Sequence, residues 1–361
     1  MEPSNISRIR LTCQQIAKTS FSGAQEIVGW MGAMQAQDYA MAKWAVGVRL
    51  PGSTQAAIQG AIDTGQVLRT HVLRPTWHLV SAEDIAWMLA LTAPRLKASL
   101  MPRHAELELS EVIVAKSNRL IERALRDGHH MKRDELMMVL KQASIPTNEN
   151  RASHLFLCAE LEGILCSGAD RDGRPTYALL PERVPEKKSL SKEEALASLA
   201  KSYFTSRSPA TLQDFTWWSG LTSQDARQAL DLVKTNFVPE TIANQTYWLS
   251  PACADSAISS QETLYLLPAY DEFLISYQER GASLQQAESP RTVSENGIFR
   301  PVIVLDGQVI GIWKRKLAQN KVVVEVELFK PANQTLFHKI EAAAARFAHF
   351  LGLESASVIG V

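Results

Sequence analysis

The sequence predicts an α+β fold in which helical units, each closed by a short strand pair, lead into a β-rich C-terminal domain. Three observations predict it. Runs with helical apolar spacing pass into β-branched strand pairs three times along the chain. From about Gln261 the pattern changes to alternating, β-branched stretches. The length of 361 residues exceeds what one core usually holds, so several subdomains are expected.

The first unit opens with the helical runs SRIRLTCQQIA and AQEIVGWMGAM. In the second, Ile27, Trp30, Met31 and Met34 fall on one helix face. A third run, TQAAIQGAI, follows Pro51-Gly52 and is stopped by Gly65. VLRTHV and TWHLVS read as strands joined by Leu73-Arg74-Pro75. Ser81, as N-cap with Asp84 as its N3 acid, opens the helix EDIAWMLALTAPRL, and a linking stretch with His104 follows.

The second unit has the helices EVIVAKSNRLIERALRDG, MKRDELMMVLKQA and ENRASHLFLCAELEGIL. The strands LCS and TYALL then flank the turn GADRDGRP. Three helices followed by a hairpin with a polar, basic tip make the winged-helix layout, a helix-turn-helix variant. After a joint at PERVPEKKS, the third unit starts at a capping box, Ser191 with Glu194. Its helices are KEEALASLAKSYFTS, PATLQDFTWWSGL and SQDARQALDLV. Pro209 suits a first helical turn, and Thr222 with Asp225 caps the last helix. NFVPETI and TYWLS close the unit as strands around Ala243-Asn244-Gln245.

In the tail, TLYLLPAY, FRPVIVLD, GQVIGIWKRK and KVVVEVELF read as strands, with a hairpin turn at Asp306-Gly307. Residues 333–351 form one amphipathic helix with Phe337, Ile340, Ala344, Phe347 and Leu351 on a face. The expected division is three winged-helix units, 1–105, 106–187 and 188–255, and a β-rich domain, 256–361, closed by a helix.

Composition narrows the function. Apolar residues make up 46% and charged residues 21%, ordinary for a globular protein, and no apolar run is long enough to span a membrane. MEPSNISRIR lacks an apolar signal core, so a cytoplasmic protein is expected. The four cysteines, Cys13, Cys158, Cys166 and Cys253, are scattered; idle thiols and no structural zinc are expected. No GxSxG, P-loop or HExxH occurs, which argues against hydrolases of those types, kinases and metalloproteases. Net charge is zero, but residues 69–133 hold eleven Lys/Arg against seven Asp/Glu, and residues 255–295 hold two against seven. The neutral total argues mildly against a dedicated nucleic-acid binder, and such asymmetry still allows one basic face.

The candidate DNA contacts follow from position. Arg69 and His71 share a strand face at period two, with Arg74, Trp77 and His78 close in sequence. Phosphate contact is one account; a core tryptophan and histidines satisfied by hydrogen bonds is the other. Arg171 and Arg174 lie in the polar hairpin tip of the second unit. Lys314 and Arg315 end a strand, where edge protection by charge is the competing account. Because ENRASHLFLCAELEGIL carries a single arginine, backbone and shape contacts fit better than base reading. In PAYDEFLISYQER, Asp271 reads as a helix cap.

GAMQAQDYA, residues 32–40, is the candidate active site. On a continuing helix Gln35 and Gln37 would diverge by about 200°. In an extended segment residues two apart share a face. Asp38 suits the N-cap of a helix YAMAKWAV, so the chain is expected to leave helical geometry around Ala36–Gln37. The bland account is helix-end polarity that satisfies free backbone groups.

MQAQDYAMAKW, VLRTHVLRPTWHLV, LLPAYDEFLISYQER and GQVIGIWKRK, in this order, resemble the tandem winged-helix DNA glycosylases, the AlkZ-like and YcaQ-like proteins. The QxQ stretch is similar to the AlkZ-like branch. YcaQ-like proteins carry an aspartate where this chain has Gln37, and Asp38 does not replace it. The resemblance implies winged helices in a C-shaped tandem and no metal or other cofactor. It implies a DNA glycosylase for bulky or cross-linking N7-alkylguanine, with Gln35 and Gln37 as the catalytic pair. A DNA-probing hairpin of the family is not placed in this sequence. The expected partner is damaged double-stranded DNA, met as a monomer at the nucleoid. The chemistry is consistent: N7-alkylation makes the base cationic and a good leaving group, so an amide that orients water and faces a sugar cation suffices. Neutral lesions should react weakly. The rival reading is a non-catalytic winged-helix regulator or architectural protein. A third is a site drifted to another ligand, for which the small Ala36 leaves room.

Overall fold

A computed structural model describes residues 3–254 and 263–360. The chain divides into two compact units, Met1–Ile58 with Ala197–Val361, and Gln59–Leu196. The first begins with α1 (Pro3–Cys13), α2 (Ala24–Met31), β1 (Ala33–Gln35) and α3 (Tyr39–Gly47), and α4 (Gln55–Asp63) crosses the boundary. The second unit holds β2 (Val67–His71), β3 (Trp77–Ser81), α5 (Ile85–Glu106), α6 (Glu111–Leu125), β4 (Met131–Lys132), α7 (Arg133–Gln142), α8 (Arg151–Leu161), β5 (Leu165–Ser167), β6 (Thr176–Leu179) and α9 (Leu180–Arg183). After α10 (Lys192–Ser206) the chain is in the first unit again, with α11 (Leu212–Ser219), α12 (Ser223–Val233), β7 (Val238–Ile242), β8 (Gln245–Leu249) and α13 (Pro251–Ala254). Then come β9 (Leu264–Leu267), α14 (Glu272–Ile275), α15 (Ser289–Thr292), β10 (Val302–Leu305), β11 (Gln308–Leu317), β12 (Lys321–Leu328), α16 (Gln334–Leu351) and β13 (Ser355–Ile359).

In the second unit α6, α7 and α8 pack around Ile121, Leu125, Leu136, Leu140, Leu155 and Phe156. A sheet in the order β4-β6-β5 lies beside them. β2 and β3 form an antiparallel pair with His71 opposite Trp77. Two further groupings build the first unit. In one, the hairpin β7–β8 turns at Ala243 and Asn244, both at positive φ, the conformation of a two-residue hairpin turn. Nearby, Tyr203, Phe204, Phe215 and Trp218 form a buried aromatic cluster. In the other, a five-stranded sheet runs β13-β12-β11-β10-β9, with the Asp306-Gly307 turn between β10 and β11. α16, capped by Asn333 and ended by Gly352 at φ 71°, packs on it through Ile340, Ala344 and Phe347. Phe347 meets Trp313 and Trp44 edge-on, with ring centroids 5.1 and 5.0 Å apart. α3 also lies against α16: at Gly47 a Cβ would run into the Phe350 ring.

Several boundaries differ from expectation. α2 ends at Met31, because Gly32 at φ 70° turns the chain out of the helix, so Met34 lies in a strand and not on the helix face. Asp84, not Ser81, occupies the N-cap of α5, and the Ser81 hydroxyl donates to it at 2.6 Å. α5 continues through Pro94 and Pro102, so His104 is helical and not in a linker. Buried Leu96 and Leu100 hold the helix past the two lost N–H groups. Pro209 precedes α11, whose N-cap is Thr211. On α16, Phe350 and Ala343 are buried where Phe337 and Leu351 were expected to be, so the apolar stripe is rotated. β13, parallel to β12, has no counterpart in the sequence reading. Nor were Cys13 and Cys253 expected to meet; they are joined as a disulfide, their Cα atoms 5.6 Å apart across 240 residues of sequence. Cys158 and Cys166 are buried thiols, pushed up by burial to about 11 and about 12.

Candidate active site

The glutamine stretch is extended up to Gln35 and bends at Gln37. Gln35 ends β1, and Gln37 follows before α3. Asp38 is the N-cap of α3, its carboxylate accepting from the Met41 N–H at 3.0 Å, as the residue type requires. The two glutamines are unequal: Gln35 is 6% exposed, and Gln37 is exposed. An aromatic–cation pair stands one turn on, with the Lys43 ammonium 4.4 Å from the Tyr39 ring centroid. Tyr270, at φ 58°, lies in the electrostatic reach of Asp38; burial, and then that carboxylate, pushes its hydroxyl up.

Beneath the stretch is a network of buried charge. The Gln35 N–H donates to Glu272 Oε1 at 2.7 Å. Glu272 Oε2 accepts from Arg207 Nη2 at 2.7 Å, from Trp218 Nε1 at 3.0 Å and from the Ser276 hydroxyl. Arg207 uses its whole donor set. Nη1 donates to Met31 O at 2.7 Å and to the Ser206 hydroxyl, Nη2 also to Ala33 O at 2.8 Å, and Nε to Ser276 Oγ. Both side chains are withdrawn from solvent. Burial alone would raise the Glu272 carboxyl, but the Arg207 guanidinium and the donated hydrogen bonds bring it down to about 2. Alongside, Arg49 grips Asp271 through two 2.9 Å bonds, and Gln14 joins it. Asp271 also caps α14, accepting from the Phe273 N–H at 2.8 Å, as its sequence position suggested.

The expected DNA contacts fall into distinct settings. Arg69 and His71 do share a face of β2, with Trp77 opposite. The Arg69 guanidinium stacks 4.2 Å from the Trp77 ring centroid. His71 is buried, its N–H donating to Glu160 at 2.9 Å and its Nδ1 against the same carboxylate. His78 is fully buried, with Nδ1 2.9 Å from Thr76 O. These histidines are withdrawn from direct phosphate reach although they lie on opposite faces of the pair, His78 with Thr70 and His71 with Trp77. Arg74 is half-buried. In the hairpin tip, Arg171 pairs with Glu135 and donates to His130 O, whereas Arg174 is exposed. Lys132 of β4 pairs with the tip's Asp172 at 2.9 Å, so an acid of the tip is matched from outside it. Strand alternation separates the last pair: Lys314 is exposed, and Arg315 turns the other way, against the Met41 sulfur one turn into α3. Arg315 thus comes to α3, the helix that follows the glutamine stretch, and Lys314 does not.

Glu272, Arg207, Trp218 and Ser276 were not anticipated. The adjacent acids 271 and 272 and the Trp217-Trp218 pair were the available signals, but neither tells a cap or core residue from a buried acid. Among the described residues no His, Cys, Asp and Glu cluster could hold a metal ion, and no helix is long and apolar enough to cross a membrane.

A protein-family model described as DNA glycosylase AlkZ-like matches residues 28–350. The chain is 23% identical over 327 residues to the interstrand DNA cross-link repair glycosylase of Streptomyces sahachiroi, covering 84% of this chain and 85% of the relative. The solved structure of Streptomyces sahachiroi DNA glycosylase AlkZ superposes with a TM-score of 0.82 at 19% identity, covering 99% of each chain, so the two share a fold.

Proposed function

The chain belongs to the AlkZ-like DNA glycosylase family, and from that premise we propose that it excises N7-alkylguanine from duplex DNA through its glutamine pair. The observation that carries the reading is the QxQ stretch outside any helix, with Gln37 exposed in a bend and Gln35 anchored at the end of β1 by its buried N–H. In the reaction a water oxygen attacks C1′ and the C1′–N9 bond breaks. The electron pair passes to N9 and cancels the positive charge of the alkylated ring, and the oxygen now bonded to C1′ loses its extra proton to solvent. The Gln37 carboxamide oxygen accepts from the attacking water and faces the developing sugar cation. Gln35 holds the neighbouring position from inside. No strong base is required, because the substrate carries its own activation. The proposed substrates include cross-linked N7-guanine, the kind of damage in the name of the similar Streptomyces sahachiroi enzyme.

In this reading the chain is a tandem of winged-helix units, 1–105, 106–187 and 188–255, followed by the β-rich domain 256–361. Arg69, Arg74, Arg171, Arg174, Lys314 and Arg315 supply phosphate contacts. The enzyme acts without metal, as a monomer, at the nucleoid of the cytoplasm. A non-catalytic regulator is set aside, since the family is one of enzymes. The test is release of base from duplex carrying N7-methylguanine or a bulky nitrogen-mustard adduct. Wild type should release both, and Gln37→Ala should lose on the order of a hundredfold in single-turnover rate. Equal trace release by the two proteins would remove the catalytic assignment.

A further inference from the structure

We infer that the Arg207–Glu272 ion pair is a positioning device that stands in for a neighbouring strand along one edge of β1, and so sets the register of the glutamine pair. In a strand, the C=O of one residue and the N–H of the residue two further on point to the same edge. A partner strand would offer that edge one donor and one acceptor. Here Arg207 Nη2 donates to Ala33 O at 2.8 Å, and Glu272 Oε1 accepts from the Gln35 N–H at 2.7 Å. The two side chains are joined to each other at 2.7 Å. One further bond, Arg207 Nη1 to Met31 O at 2.7 Å, ties the last residue of α2 to the same guanidinium. The backbone from Met31 to Gln35 is therefore held at three points by one buried pair.

The consequence lies in the period of a strand. A slip of one residue would exchange the faces of Gln35 and Gln37 with that of Ala36. The strand is only three residues long, so few backbone bonds of its own oppose such a slip. Charged partners suit the task because charge-assisted bonds are shorter and stronger than backbone ones. The fixed fork of an arginine reaches two carbonyls and a carboxylate at once. Trp218 Nε1 and the Ser276 hydroxyl give Oε2 of Glu272 two donors besides Arg207, so its carboxylate does not rotate away from Gln35. Neither Arg207 nor Glu272 is assigned to touch the substrate; both act through the glutamines.

This inference rests on the proposed catalytic role of the pair, and the test separates the two. Glu272→Gln is prepared alone and in a Gln37→Ala background, and base release from N7-methylguanine duplex is followed in single turnover. Hydrogen–deuterium exchange is read on the peptide covering 33–37. Expected are exchange in that peptide faster by more than the general increase that lower stability brings elsewhere, a fall in rate on the order of tenfold to a hundredfold with DNA affinity kept, and little further loss in the Gln37→Ala background. Unchanged exchange, or the same loss of rate with Gln37 already absent, overturns the positioning role. Should Glu272→Gln fail to fold, Trp218→Phe and Ser276→Ala each remove one donor to Oε2. They should give graded losses on the same two readouts, and no change in exchange overturns the inference equally. If wild type releases no base, the substrate assignment fails, and the exchange arm still decides whether the pair pins the strand.

Discussion

Lowering the pH should unlock Glu272, and the size of the effect follows from its surroundings. The carboxyl has an ordinary value of 4.5 and is held at about 2 in the folded chain. Burial opposes ionisation there; Arg207 and the hydrogen bonds from Ser276, Arg207 and the Gln35 N–H overcome it. The folded chain thus binds this proton more weakly than the unfolded chain does. The contribution of the group to stability is complete above about pH 4.5, declines as the pH falls, and is gone near pH 2. With each pH unit worth about 1.4 kcal/mol, the contribution is on the order of 3 kcal/mol. Urea unfolding of wild type and Glu272→Gln from pH 7 down to pH 2.5 isolates it, since the other acids titrate in both proteins. At neutral pH the variant should be the weaker by at least this amount, because Arg207 is left buried without its counter-charge. The gap should narrow by roughly 3 kcal/mol toward the acid end, as protonation makes wild type resemble the variant. A gap that stays constant across the range would refute the account of how the carboxylate is held.

Other perturbations test other parts of the molecule. Gly47→Ala pushes a methyl group into the Phe350 ring and should cost about 1–3 kcal/mol, seen as a lower midpoint in thermal unfolding. Arg174→Ala removes an exposed charge and should weaken binding to duplex of any sequence, flattening the salt dependence by about one unit of slope. His78→Ala should leave that slope alone and lower stability instead, because the ring is fully buried; a changed slope in a binding titration would mean that the strand pair opens on DNA. On substrates, release of N7-methylguanine should far exceed release of neutral O6-alkylguanine in the same duplex, since an amide pair supplies no acid to a neutral leaving group. Comparable rates on both would count against Gln37 as the water-orienting group.

The sequence by itself determined the local layout. Apolar spacing marked α6 to α8, capping residues marked Asp38, Thr222 and Asp271, and the Asp-Gly turn marked the β10–β11 hairpin. These are signals between residues a few positions apart, and chain geometry turns them into structure directly. The glutamine stretch and its departure from helical geometry were legible for the same reason, although Gly32 ends the helix sooner than Asp38 implied. Only the tertiary structure decided what surrounds that stretch. Arg207 lies 172 positions beyond Gln35 and Glu272 lies 237 positions beyond it; no periodicity relates them. The same distance hid the Cys13–Cys253 bond and the parallel strand β13. It also hid which charged residues turn inward: His71 and His78 into a core, Lys314 and Arg315 to opposite faces of one strand. A residue type states what bonds a side chain can make. Burial decides which of them it must make, and burial depends on packing between segments far apart in the chain.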